Sequence, residues 1–202
     1  MKALHRPDLY TWAGFDAERN VDFNGYAWVR PGGSVLIDPM PMSTHDLDHL
    51  VSLGPTRWIV ITNSDHTRAA ASLARILGAE LAGPAAEQET FPLPCRRWLQ
   101  DGEEVVPGMR VLALDGSKTP GELALWLDPD TLITGDLVRA HRAGSLMVLP
   151  DGKLKDRPAA ARSLKRLAAL EGLETVLVGD GWPLFGGGRG ELERLAAALG
   201  QG

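Results

Sequence analysis

Residues 58–68 read Trp58-Ile59-Val60-Ile61-Thr62-Asn63-Ser64-Asp65-His66-Thr67-Arg68. A short apolar, β-branched run of this length predicts a buried strand rather than a helix. Polar residues begin as soon as it stops, and Asn63-Ser64-Asp65 reads as a tight turn. Strand ends suit functional side chains, because the sheet fixes the loop while its side chains stay accessible.

Both flanks continue the pattern. Upstream, Phe23 to Val29 and Ser34 to Ile37 surround the turn residues Arg30-Pro31-Gly32-Gly33, a hairpin signal, and Asp38-Pro39 ends the second strand. Ser43-Thr44-His45-Asp46 has the form of a capping box. Leu47, Leu50 and Val51 follow at helical spacing, and Gly54-Pro55 stops that helix. Downstream, Ala69, Leu73, Ile76 and Leu77 mark a second helix closed by Gly78. Strands return near Val105-Val106, Arg110 to Leu114, Leu123 to Leu127 and Thr131 to Thr134. Asp156-Arg157-Pro158 opens a helix carrying Leu164, Leu167 and Ala168. Thr175 to Val178 is a last buried strand and Leu192 to Leu199 a final helix, while 83–94 and 179–190 read as loops. This order predicts an α/β (α+β) chain, with two sheets face to face and helices outside, in one domain spanning 1–202.

Bulk properties narrow the function. With 44% hydrophobic and 23% charged residues the chain reads as globular, not disordered. A net charge of -5 argues against a nucleic-acid binder, which needs a basic face. The one cysteine, Cys95, excludes an intrachain disulfide and every cysteine-rich zinc pattern. The first residues, MKALHRPDLYTW, lack the apolar segment of a secretion signal, and no run reaches membrane-spanning length. A cytoplasmic protein without membrane partners is the expectation. Trp12, Tyr26 and Trp28 suit either the core or a homodimer surface.

Three strand ends share the apolar-to-polar switch: Thr62 to Arg68, Thr134-Gly135-Asp136, and Val178-Gly179-Asp180-Gly181-Trp182. A fourth candidate, Gly116-Ser117-Lys118-Thr119-Pro120-Gly121, lies in a turn. Singly, each aspartate reads first as a turn residue and His66 as a capping or surface residue. Trp182, beside Gly181 and Pro183, fits a pocket rim. The other histidines, His5, His45, His49 and His141, have no ligand-like spacing.

Taken in order, these segments resemble the metallo-β-lactamase superfamily, over most of the chain, and especially its bacterial members described as metal-dependent hydrolases. The resemblance implies a four-layer αββα sandwich with two metals between the sheets. The family's motif is Thr-His-x-His-x-Asp-His after a buried strand. A third histidine comes just before Thr-Pro-Gly, then an aspartate in Thr-Gly-Asp and a last histidine in Gly-His-Gly. Here Thr119-Pro120-Gly121, Thr134-Gly135-Asp136 and Gly179-Asp180-Gly181 are recognisable. In register from Thr62, Asn63 and Asp65 stand at the first two histidine positions, Thr67 at the aspartate position and Arg68 at the next histidine. Lys118 and Asp180 take the remaining histidine positions, so only Asp136 is retained. A second register lays Asp65-His66 on the Asp-His pair and places Ile61 at the first ligand.

Two readings follow. In the first, the chain is a hydrolase with at most one divalent metal (zinc, manganese, iron or magnesium) on Asp65, Asp136 and Asp180. Asp65, His66 and Asp136 then serve catalysis, while Asn63, Arg68, Lys118 and Trp182 contact a small, anionic substrate. Such oxygen-rich ligands suit magnesium, manganese or calcium better than zinc. In the second, the chain binds no metal and is not a hydrolase. Arg68 and Lys118 neutralise the aspartates in an ion-pair network, and the pocket binds an anionic small molecule.

Overall fold

The computed structural model describes residues 1–200. Seven strands form the first sheet: β1 Lys2–Ala3, β2 Leu9–Asp16, β3 Val21–Trp28, β4 Ser34–Ile37, β5 Thr56–Val60, β6 Glu80–Pro84 and β7 Arg97–Leu99, side by side in that order. From β1 to β4 neighbours run antiparallel; from β4 to β7 they run parallel. The second sheet contains β8 Glu104–Val106, β9 Met109–Ala113, β10 Leu123–Leu127, β11 Thr131–Thr134 and, at its far edge, β14 Thr175–Val178. A separate hairpin pairs β12 Val138–Arg142 with β13 Ser145–Val148. The helices are α1 Thr44–Ser52, α2 Ala70–Leu77, α3 Arg157–Ala168 and α4 Gly188–Gly200.

Side-chain alternation along the strands builds the layers, since successive residues of a strand face opposite sides. Val35, Ile37 and Val60 point between the sheets, where they meet Val111, Leu123, Leu125, Leu127, Ile133 and Leu177. Their neighbours Leu36, Ile59 and Ile61 pack with Leu50 of α1 and Leu73 of α2. In the second sheet Ala124, Trp126, Val176 and Val178 turn the other way, onto Leu164 and Leu167 of α3 and Leu192 and Leu195 of α4. Helix, sheet, sheet, helix is the architecture the residue order predicted. The caps are as read: Ser43 accepts the Asp46 amide at 3.1 Å, and Gly78 closes α2 in the left-handed region at φ 66. The hairpin is also as read, with Tyr26 opposite Ile37.

Trp12, Tyr26 and Trp28, expected in the core or at a homodimer surface, are buried within the chain on inner positions of β2 or β3. One expectation needs correction. The stretch expected to be a loop from Gly83 begins inside β6, because Gly83 and Pro84 pair with Trp98 and Leu99. Among the described residues no helix is long and apolar enough to cross a membrane.

Candidate functional site

Loops after β4, β5, β9, β11 and β14 meet β12 around a cavity of about 700 Å³. The stretch after β5 is one turn of 3-10 helix, Ser64–His66, and the Asn63 side chain caps it by accepting the Asp65 amide at 3.0 Å. That turn aims three nearby side chains differently. Asn63 is buried and its Nδ2 donates to Asp136 Oδ2 at 3.1 Å. Asp65 is half exposed at the cavity. His66 is buried, 4% exposed, between two carboxylates.

Its Nδ1 donates to Asp38 Oδ2 at 2.7 Å and its Nε2 lies 3.6 Å from Asp136 Oδ2. Asp38, itself buried, also accepts the Thr62 amide at 2.8 Å and the Thr62 hydroxyl at 2.6 Å. Burial alone would push the His66 pKa down. The Asp38 charge, helped by Asp136, outweighs it and raises the pKa to about 9, so the ring is an imidazolium at neutral pH. Gly179 makes room for the ring: a Cβ there would stand 2.8 Å from His66 Cε1.

Asp136 is the hub. Lys118 Nζ lies 3.0 Å from its Oδ2 and 2.7 Å from Asp65 Oδ2, so the ammonium bridges the two carboxylates. Arg139, on β12, donates to Asp136 Oδ1 at 3.1 Å and lies 3.5 Å from Asp180 Oδ2. His141 Nε2 is 2.9 Å from the same Asp180 oxygen. Burial would raise the Asp136 pKa, but His66 and Lys118 hold it well below the ordinary carboxylate range. Burial also opposes the charge on Lys118, yet Asp65 and Asp136 keep its pKa above that of a free lysine. Beneath the hub, Glu122 is fully buried; it accepts the Leu137 amide at 2.8 Å and the Ser117 hydroxyl. Burial, with the Asp136 charge nearby, raises its pKa to about 7.

These shifts predict a pH dependence of stability. An imidazole whose pKa rises from about 6.5 to about 9 on folding stabilises fully below 6.5. That contribution is lost as pH rises through 9. Glu122, raised from 4.5 to about 7, changes stability in the same sense at lower pH. Asp136 acts oppositely, but only in acid. Urea unfolding should therefore show a loss of about 3 kcal/mol between pH 6.5 and 9 from His66. A His66→Gln variant should show a much flatter profile; an equally steep one would remove His66 as the cause.

Most of the residues singled out in the sequence come together here. Asp65, His66, Arg68, Lys118, Asp136 and Asp180 all line the cavity, with Asn63 directly behind it. Ile61, the first ligand position of the second register, is buried in the core against α2. Asn63, Asp65 and Arg68 of the register from Thr62 reach the site, and Thr67 is outside the cavity lining. Two roles need correction. Arg68 pairs with none of the aspartate carboxylates. Its backbone φ is 33, and its guanidinium donates to the carbonyls of Asn24 (2.7 Å), Asp38 (3.0 Å) and Gly179 (3.1 Å). It is a clamp between loops, and Arg139 supplies the charge expected of it. Trp182 is 60% exposed and outside the cavity lining, because its amide bonds the Ala140 carbonyl at 2.7 Å and keeps that loop along β12.

Sequence reasoning misses Asp38, Glu122, Arg139 and His141. Asp38 carries the same signal as the others, an aspartate directly after an apolar strand. Arg139 and His141 carry none, since alternating charges on a strand read as a solvated face.

The two metals that the resemblance implies do not fit this donor set. Metal sites of this kind are built from neutral imidazoles and carboxylates. Here an ammonium stands within 3.0 Å of both Asp65 and Asp136, and a guanidinium spans Asp136 and Asp180. A divalent ion bound to those oxygens would sit beside fixed positive charges and be repelled. Among the described residues no group of three histidine, cysteine or acidic side chains is arranged to hold a metal ion.

Known proteins give the fold its context. A metallo-beta-lactamase from Pontibacter korlensis superposes with a TM-score of 0.77 at 15% identity, covering 99% of this chain and 98% of its own. One from Erythrobacter litoralis, with beta-mercaptoethanol in its active site, gives 0.78 at 16% identity, covering 98% and 95%. A metallo-beta-lactamase family protein from Thermus thermophilus gives 0.71 at 21% identity, covering 97% and 80%. At such identities these likenesses speak for the fold alone. No curated protein matches the chain. The family model described as the metallo-beta-lactamase superfamily matches residues 1–199, nearly the whole sequence, and the chain belongs to that superfamily.

Proposed function

We propose that this chain is a metal-free member of the superfamily whose cavity binds a small anionic molecule, and that it does not hydrolyse that molecule through a metal-bound water. The observation that carries the reading is the Lys118 ammonium, shared between Asp65 and Asp136 at 2.7 and 3.0 Å. With Arg139 and His66 it neutralises the retained Asp136 from three sides. Arg19, Arg68, Lys118, Arg139 and Lys153 line the cavity against three aspartates, so its field favours anions.

Thermal stabilisation by a panel of small anions tests this, run once in EDTA and once with added manganese. Stabilisation of equal size under both conditions is expected. Stabilisation only with manganese would contradict the proposal, as would manganese-dependent cleavage of an ester substrate.

A second reading, a one-metal hydrolase on Asp65, Asp136 and Asp180, is favoured by one observation: all three aspartates line the same cavity. It requires Lys118 and Arg139 to withdraw from carboxylates they now contact. It predicts that Asp136→Ala abolishes both metal uptake and hydrolysis.

A further inference from the structure

Charge is spread unevenly around the cavity. On its floor three carboxylates, Asp65, Asp136 and Asp180, line the cavity with Lys118, Arg139 and Arg68, of which Lys118 and Arg139 contact those carboxylates. Lys118, Arg68 and Arg139 equal those three carboxylates in number, three charges against three. The mouth is different. Arg19 and Lys153 also line the cavity, and both are exposed. Arg19 reaches only Asp16, at 3.9 Å, and Lys153 pairs with no carboxylate among the described residues. The mouth thus adds two cations to the lining, with Asp16, outside the cavity, as the carboxylate near Arg19.

The rest of the lining is His141, held 2.9 Å from Asp180, and the apolar Val21, Phe23 and Met40. Phe23 is half-buried, with the guanidinium of Arg19 5.6 Å and that of Arg68 5.4 Å from its ring centroid. Arg19 and Arg68 therefore border an aromatic surface that is still partly free.

We infer that the cavity takes a small molecule carrying one doubly charged anionic group, of the phosphate monoester class, on a compact apolar or planar body. Arg19 and Lys153 hold the anionic group, and Phe23 and Met40 pack on the body. A monocarboxylate neutralises only one of the two mouth cations. Inorganic phosphate satisfies both but leaves the apolar wall wet. At about 700 Å³ the cavity has the size of ordinary small-molecule sites. This inference rests on the metal-free reading above.

Calorimetric titration with phenyl phosphate, inorganic phosphate and benzoate, in EDTA and then with manganese, tests it. Phenyl phosphate should bind about tenfold more tightly than either of the others in EDTA. The double variant Arg19→Ala/Lys153→Ala should lose about tenfold of that affinity without a change in melting temperature, because both side chains are exposed. Benzoate binding as tightly as phenyl phosphate in EDTA would overturn the phosphate class and leave the metal-free reading standing. An unchanged affinity in the double variant, or no binding of any probe under either condition, would also overturn it. Binding of phenyl phosphate only with manganese, or manganese-dependent release of phenol, would instead overturn the metal-free reading.

Discussion

Replacing His66 by alanine should lower the unfolding free energy by about 3–5 kcal/mol, the largest stability loss expected of any polar substitution in this protein. The imidazolium lies between Asp38 and Asp136, which are 2% and 3% exposed. Removing it leaves those carboxylates facing each other in a region that water hardly reaches. Asp38 keeps its two bonds from Thr62, and Asp136 keeps Lys118 and Arg139, so the fold is weakened rather than lost. The cost of breaking a buried pair comes from the charge left behind. Substituting Asp38 by asparagine in the same background should therefore recover part of the loss. Urea unfolding of the single and double variants measures both effects. A loss below about 1 kcal/mol for His66→Ala would mean that the ring is not the counter-ion described here.

The second large effect is a gain. By its resemblance to the family motif Lys118 stands at the third histidine position, and its ammonium contacts the Asp65 and Asp136 oxygens. Lys118→His removes that cation and puts an imidazole beside two carboxylates, a ligand set that suits zinc. The variant should take up zinc, while the parent chain and Lys118→Ala should bind it far more weakly. Equilibrium dialysis against zinc followed by elemental analysis reads the difference. A variant no better than the parent would show that Arg139 and His66, rather than Lys118, keep the ion out.

Much of the fold was legible because short apolar runs bounded by turn residues are a strong signal for buried strands. Leu123 to Leu127 and Thr175 to Val178 have the same limits in the structure as in the sequence. The strands that sequence reasoning misses lack that signal. Leu9–Asp16 mixes glycine, aromatics and an exposed Phe15, and Val138–Arg142 with Ser145–Val148 forms a hairpin outside both main sheets.

The site was legible in its positions and less so in its partners. Asp65, Lys118, Asp136 and Asp180 stand at strand ends and turns, which local chemistry reveals. Which cation meets which carboxylate depends on backbone direction and on distant strands. Arg68 takes a positive φ that turns its guanidinium to carbonyls, and Arg139 reaches Asp136 and Asp180 only because β12 folds back beside the loop after β14. His66 is a spacer in the register from Thr62 and the motif's histidine in the other, and neither reading marks it as the buried ion between Asp38 and Asp136.

On the metal-free reading proposed above, Lys118 and Arg139 hold the carboxylates that a metal ion would need. The metal content of the parent protein after exposure to excess zinc, manganese and iron, followed by desalting, decides it. Far less than one metal ion per chain is expected, with a melting temperature that EDTA does not change. Near-stoichiometric uptake of any of the three, lost together with thermal stability on adding EDTA, would contradict it.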